Sequence, residues 1–254
     1  MTDTMTVGEV RFDERVASKM LDHFEQVMGN REWVAGVRRT EPGALTGKNF
    51  DSVFGGFSKP SKMPGLSWST PALVTCKVGR ALSKLPGSVC SGCYALKGRY
   101  VFPSTKHALA RRLKALESNP NSVAAAMVYR LRTMRSERAR FMRWHDSGDV
   151  IDEGHYRLIQ WVARMTPNTQ HWLPTREVAL VRRFGKDDPP NLCSRVSNAL
   201  VGSENRFGDV PCTSTVDAPP TDAHDCPAPS QGGKCGSCRA CWNRTVRTVN
   251  YSKH

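Results

Sequence analysis

The chain has 254 residues, a formal net charge of +14 and a 39% hydrophobic fraction with six tryptophans, enough for a buried core without disulfide staples. Its nine cysteines are odd in number and fall at two-residue gaps, which suits metals better than extracellular cross-links. The opening MTDTMTVGEVRFDERV carries acids and no apolar run, and no stretch reaches about 18 apolar residues, so neither a signal peptide nor a transmembrane helix is expected, and a reducing cytoplasm is.

Residues 1–45 are predicted as a helical preface, because Phe12, Val16, Met20 and Phe24 recur every four residues as one apolar stripe. Residues 46–75 are rich in Gly, Ser, Pro and Lys and read as an irregular loop. One helix is predicted from about Ser104, a good N-cap, to Ser118, and another from the turn Asn119-Pro120-Asn121-Ser122 to about Arg140.

A rhythm of strands and helices follows. FMRWHDSG (141–148), QHWLPTRE (170–177) and NLCSRVSN (191–198) read as strands, with DVPCTSTV (209–216) as a candidate fourth. EGHYRLIQWVARM (153–165) and EVALVRRFG fill the gaps as helices, the spacing of βα units with parallel strands. The expected architecture is α/β: a partial parallel (β/α) barrel over 46–210, preceded by the preface. It is followed over 211–254 by a Pro-, Gly- and Cys-rich irregular segment that folds around metal or docks on the barrel.

The charge is concentrated. Between residues 97 and 143 twelve cations, among them Lys97, Arg99, Lys106, Arg111, Arg112, Arg132 and Arg135, face only Glu117 and Glu137, a local net +10. Such an excess attracts polyanions, nucleic acid first, although a solvated helix surface gives the same composition. Trp144, Trp161 and Trp172 lie on predicted core elements and are expected to pack rather than to stack on bases.

The cysteines divide. Cys226, Cys235, Cys238 and Cys241 bring four thiols into sixteen residues of polar tail, which closes the shell of zinc or of a cubane 4Fe-4S cluster; the doubled two-residue gap favours the cluster. Cys76, Cys90 and Cys93 form a set of three, which can hold a cubane and leave one iron open. Cys193 and Cys212 fall on predicted strands, where free cysteine usually only packs. His145-Asp146 has the form of the metal-dependent phosphohydrolase doublet, but those sites draw further ligands from separate helices. Arg176 could grip a carboxylate or phosphate, or form a salt bridge with Asp149 or Glu177.

VCSGCYALKGRYVFP, FMRWHDSGD, HWLPTRE and CPAPSQGGKCGSCRACW resemble a phage family known as gene product 88, over about residues 60–254. The ending C-x2-C-Tyr-Ala is also similar to three-Cys-motif phage proteins related to radical S-adenosylmethionine enzymes. The resemblance implies an iron–sulfur protein of the host cell cytoplasm with one or two 4Fe-4S clusters, and Cys76, Cys90 and Cys93 as ligands of the open one. It further implies a radical-type barrel whose strand-end residues Ser147, Asp149, Thr175, Arg176 and Ser197 face S-adenosylmethionine. The basic 97–143 region, read from its charge alone, would hold a nucleic acid as substrate or ligand. The spacing departs from the usual C-x3-C-x2-C, because thirteen residues separate Cys76 from Cys90, and no Gly-Gly-Glu run follows. Three alternatives stay open: a zinc site completed by His107 or His145, a non-enzymatic binder of nucleic acid or a host protein whose cysteine sites are structural, and a redox sensor whose clusters are themselves the signal. No membrane partner is expected.

Overall fold

The computed structural model describes residues 7–29, 49–204, 207–220 and 222–253. The parts of the expected preface and loop at 1–6 and 30–48 lie outside the described residues.

Helix α1 spans Glu14–Gly29 and starts where the Asp13 carboxylate accepts from the amides of Arg15 and Val16, at 2.8 and 3.3 Å. Its buried face is Ala17, Leu21 and Phe24, whereas Val16 is 38% exposed. The inward stripe is therefore turned by one position from the Phe12-Val16-Met20-Phe24 series. Helix α2 (Lys77–Leu82) is short and follows Cys76. Helix α3 (Pro103–Ser118) begins on Pro103 with Phe102 at the N-cap, one residue ahead of Ser104. Helix α4 (Pro120–Thr133) is capped by Asn119, whose side chain accepts from the Ser122 amide at 3.0 Å. It ends seven residues before Arg140, because Met134 turns extended and a 3₁₀ turn over Glu137–Arg140 leads into the next strand. Helices α5 (Glu153–Met165) and α6 (Val178–Phe184) occupy their predicted places.

Seven strands form one sheet: β1 (Leu66–Trp68), β2 (Phe141–Trp144), β3 (Gln170–Thr175), β4 (Leu192–Ser197), β5 (Cys212–Val216), β6 (His224–Asp225) and β7 (Thr248–Tyr251). Every pairing is parallel and the order is β1-β2-β3-β4-β5-β7-β6. Among the described residues no ladder joins β6 back to β1. Strand β1 lies inside the segment predicted as loop. Strands β6 and β7 come from the segment predicted as irregular, so the tail extends the sheet as well as packing on it.

Alternation along each strand sorts the two faces. Trp68, Met142, Trp144, Leu173, Leu192 and Val196 point into the main core with helices α1 and α3–α6. Phe141 and Trp172 point the other way, against Trp242 and Met63, where Cys235, Cys241 and Tyr251 also pack. Trp144, Trp161 and Trp172 are packing residues, as expected. No helix among the described residues is long and apolar enough to cross a membrane.

Candidate functional site

The three-thiol group lies where the parallel strands end, because each cysteine's segment is fastened to a different strand terminus. Beyond β1, the Thr70 amide donates to the Ser147 carbonyl at 3.2 Å, and the Thr75 hydroxyl accepts from the Asp149 amide at 3.2 Å. Gly148 makes this approach possible: at φ +80°, a Cβ there would fall 2.2 Å from the Thr70 hydroxyl. Cys76 then caps α2, and Glu177, just past β3, accepts from the Val78 amide at 3.1 Å. Cys90 sits on a 3₁₀ turn, Val89–Gly92, tied to the end of β4 by Val89 N to Ala199 O (2.9 Å) and Val201 N to Gly87 O (3.0 Å). Tyr94, next to Cys93, donates its hydroxyl to the Asp146 carbonyl past β2 at 2.6 Å.

The thirteen-residue gap between Cys76 and Cys90 is closed by this arrangement. A Cβ at Gly79 would lie 3.8 Å from the Cys76 sulfur and 3.6 Å from the Cys90 sulfur, so the two are no more than 7.4 Å apart, the two distances laid end to end. Burial pushes the Cys76 thiol up to about 12, and the charges of Asp149, Cys93 and Cys90 add to the effect. Cys90 is also pushed up by burial, while the Arg176 guanidinium beside it pulls the other way.

Three of the five expected cofactor-facing residues meet here. The Asp149 carboxylate accepts from the Thr175 hydroxyl (2.6 Å), the Arg176 amide (2.9 Å) and the Val150 amide (2.8 Å). Burial still raises its pKa to about 6, those hydrogen bonds holding it back. The Arg176 guanidinium donates to the carbonyls of Ser197 (3.1 Å) and Asn198, so its partners are carbonyls and the Cys90 thiol rather than Asp149 or Glu177. Ser197 thus joins through its backbone. The Ser147 hydroxyl is buried without a hydrogen-bond partner. Thr75 and Gly79 were not singled out in the sequence, and Glu177 was named only at a strand end and as a salt-bridge partner of Arg176: such residues carry no spacing signal for a site they only support.

His145 does not join the thiols. It has φ +54° and is 4% exposed, with the Ser147 backbone beside its ring. Its ring lies 5.1 Å from that of His155 and 6.5 Å from that of Trp68, and burial holds its pKa well below the usual range. Asp146 accepts from the hydroxyls of Ser67 and Ser69 on the β1 side, so the doublet is divided between two environments. His107 is exposed on α3.

The four tail cysteines share the opposite face of the sheet. Cys226 extends the β6–β7 ladder, its amide donating to Asn250 at 2.9 Å, and the Cys235 amide donates to Lys62 at 3.0 Å. Gly236, at φ +53°, turns the chain between Cys235 and Cys238. The Cys238 sulfur is 3.3 Å from His224 Nε2, and the Cys241 sulfur 3.1 Å from the Tyr251 hydroxyl. Burial raises Cys235, with the charges of Cys226 and Cys238 adding, and pushes Cys241 up to about 11. Beneath the tail, buried Arg195 donates to the carbonyls of Thr213, Arg247, Ala240, Asn243 and Val246. Cys193 and Cys212 are buried in β4 and β5.

Arg143 stands between the two groups. It donates to the Tyr94 hydroxyl at 3.0 Å, covers the Trp172 ring at 4.6 Å, and its charge reaches Cys235 and Cys241. Among the described residues, no three His, Cys, Asp or Glu side chains close to the spacing of a single-ion site. A cubane holds its thiolates on separate irons, farther apart than one ion does, so this spacing speaks to a single ion and not to a cluster.

The basic stretch separates in space. Arg112 leaves the expected contact surface: it is 4% exposed and donates to the Gly56 carbonyl (2.9 Å) and the Ser58 hydroxyl (2.8 Å). Arg132 is engaged by Glu25 and the Met165 carbonyl, both at 2.9 Å, and Arg111 reaches the Gly55 carbonyl at 3.3 Å. Lys97, Arg99, Lys106 and Arg135 are exposed.

A family described as gene product 88 matches residues 37–244, well over half of the chain. No curated protein and no solved structure matches it.

Proposed function

The chain belongs to the gene product 88 family of phage proteins, and we propose that it is an iron–sulfur protein of the host cytoplasm, a radical S-adenosylmethionine-like enzyme with two 4Fe-4S clusters on a partial (β/α) barrel. The observation that carries this reading is the meeting of Cys76 with Cys90 and Cys93 across the C-terminal ends of parallel strands, beside Asp149 and Arg176. Ligands of α/β folds bind at that end. When bound, such a cluster supplies the electron that cleaves S-adenosylmethionine. Cys76, Cys90 and Cys93 would hold it, and the tail thiols Cys226, Cys235, Cys238 and Cys241 would hold the second. Asp149, Thr175 and Arg176, flanked by Ser147 and Ser197, would bind the cofactor's amine with an acid and its carboxylate with a cation. Nucleic acid is the substrate class that the basic surface suits.

Anaerobic purification followed by iron, sulfide and zinc analysis tests this. About eight irons per chain with matching sulfide are expected for two cubanes. Stoichiometric zinc in a colourless protein would overturn it. A second reading, a non-enzymatic nucleic-acid or host-protein binder with structural zinc, draws on His224, whose Nε2 lies 3.3 Å from Cys238 and adds a nitrogen donor that zinc accepts.

A further inference from the structure

From Cys76 to Leu116 the sequence contains no acidic residue. The same stretch carries most of the large apolar side chains that the fold leaves in water. Tyr94, Leu96, Val101 and Phe102 are 43, 44, 45 and 54% exposed, and Val78 and Leu85 are exposed on and just beyond α2. Leu200, also exposed, is paired by a β-bridge to Ser88 at the base of the Cys90 turn. Val16 is the one exposed large apolar residue elsewhere among the described residues. Apolar surface gathered round a site, without acids, marks a contact surface rather than a solvated face.

We propose that residues 94–106, the exposed flap beside the three-thiol group, bind single-stranded nucleic acid. Along the flap, rings and cations are interleaved: Tyr94, then Lys97 and Arg99, then Tyr100 and Phe102, then Lys106. Unpaired bases offer π-faces to such rings while the backbone phosphates follow the cations. Tyr94 is already oriented, because its hydroxyl is held by the Asp146 carbonyl and by Arg143, and its ring lies 5.8 Å from that of Tyr100. A ring fixed before binding loses little rotational freedom on contact. Up to Val101 the flap is built of short 3₁₀ turns, Tyr94–Leu96 and Gly98–Val101, and of α3 it includes only the first turn, so the rings sit on irregular backbone rather than along a helix that could enter a duplex major groove. The surface adjoins Cys93, so the proposal names the substrate class for the reading above and rests on it for any chemistry; binding itself requires no cluster.

The test is fluorescence anisotropy with a labelled 20-nucleotide single strand, as DNA and as RNA, the matching duplex, and polyglutamate as an acidic-protein mimic. The single strand is expected to bind at least tenfold more tightly than the duplex. Phe102→Ala should weaken it roughly tenfold. Lys97→Ala with Arg99→Ala should lower the salt slope by about 1.4, at about 0.7 per lost phosphate contact. Lys19→Ala, exposed on α1 and outside the basic stretch, should change neither value. Equal affinity for the duplex, polyglutamate binding as tight as the single strand, or no effect of Phe102→Ala would each overturn the proposal. Iron and sulfide measured on every variant keep a failure of the cluster reading separate from a failure here.

Discussion

The Arg143 guanidinium donates to the Tyr94 hydroxyl at 3.0 Å. With the same side chain lying over Trp172 at 4.6 Å, one residue of β2 ties the flap that follows Cys93 to the tail-facing side of the sheet. Arg143→Met should cost roughly 2–3 kcal/mol of unfolding free energy, the value of a charged hydrogen bond plus a cation–π contact. Tyr94→Phe keeps the ring and should cost only about 1 kcal/mol. Urea denaturation of both variants checks this, and an Arg143→Met protein as stable as wild type would remove the linking role.

Gly79 occupies the place where Cys76 and Cys90 meet. Alanine in a helix normally stabilises over glycine by about 1 kcal/mol. Here its methyl would stand 3.0 Å from the Cys76 Cβ, so no gain in thermal stability is expected from Gly79→Ala. Gly79→Val should fill the space between the sulfurs and about halve the metal bound per chain. Full metal content in Gly79→Val would show that the sulfurs can spread without loss of the site.

The Cys76 thiol, pushed up to about 12 from 9.0, is protonated at neutral pH in the metal-free chain. Its thiolate fraction is then about a thousandfold below that of an ordinary thiol. Mass spectrometry of iodoacetamide-treated apoprotein at pH 8 should find Cys76 alkylated far more slowly than a free cysteine. Metal loading must displace that proton, so affinity at this group should rise with pH.

Asp149 is raised from 3.8 to about 6 by burial. Its folded form therefore binds the extra proton between those values, and its contribution to stability is fully present below about 4 and is lost as pH rises through 6. The amplitude is about 3 kcal/mol for a shift of roughly two units. In Asp149→Asn apoprotein this part of the pH dependence should vanish from the melting curve. An unchanged slope between pH 4 and 6 would assign it to another group.

Arg195 satisfies five carbonyls of β5 and the tail from a buried position. Arg195→Ala leaves several of them unpaired and should destabilise by ~3–5 kcal/mol. Limited proteolysis should then cut the 226–247 segment first, while α4 and α5 stay protected.

Strands β2 to β4 were legible because their apolar runs are bounded by turn residues and spaced by helices of recognisable period; β5 follows β4 with no helix between and was legible from its own short β-branched run. Leu66-Ser67-Trp68 is a strand only because β2 lies beside it; three residues in a Gly- and Ser-rich run carry no period. His224-Asp225 and Thr248–Tyr251 are strands for the same reason. At the site, the types and numbers of the cysteines were readable, and so were Asp149, Thr175 and Arg176 as strand-end polar residues. The nearness of Cys76 to Cys90 was not, since it depends on fastenings at Glu177 and Ala199, far away in sequence. Arg112 and Lys97 look alike in a charge count. Only packing shows that one is buried under Gly56 and Ser58 and the other faces water.

Strand β7 lies between β5 and β6, although it is made after both. β6 has no ladder partner until residues 248–251 pair with it, and Cys226, whose amide bonds to Asn250, is unanchored until then. The three-thiol group depends on β1 to β4 alone and can assemble earlier. The fixing of Cys226 to the sheet thus waits on the pairing of β7, a requirement that the three-thiol group does not share.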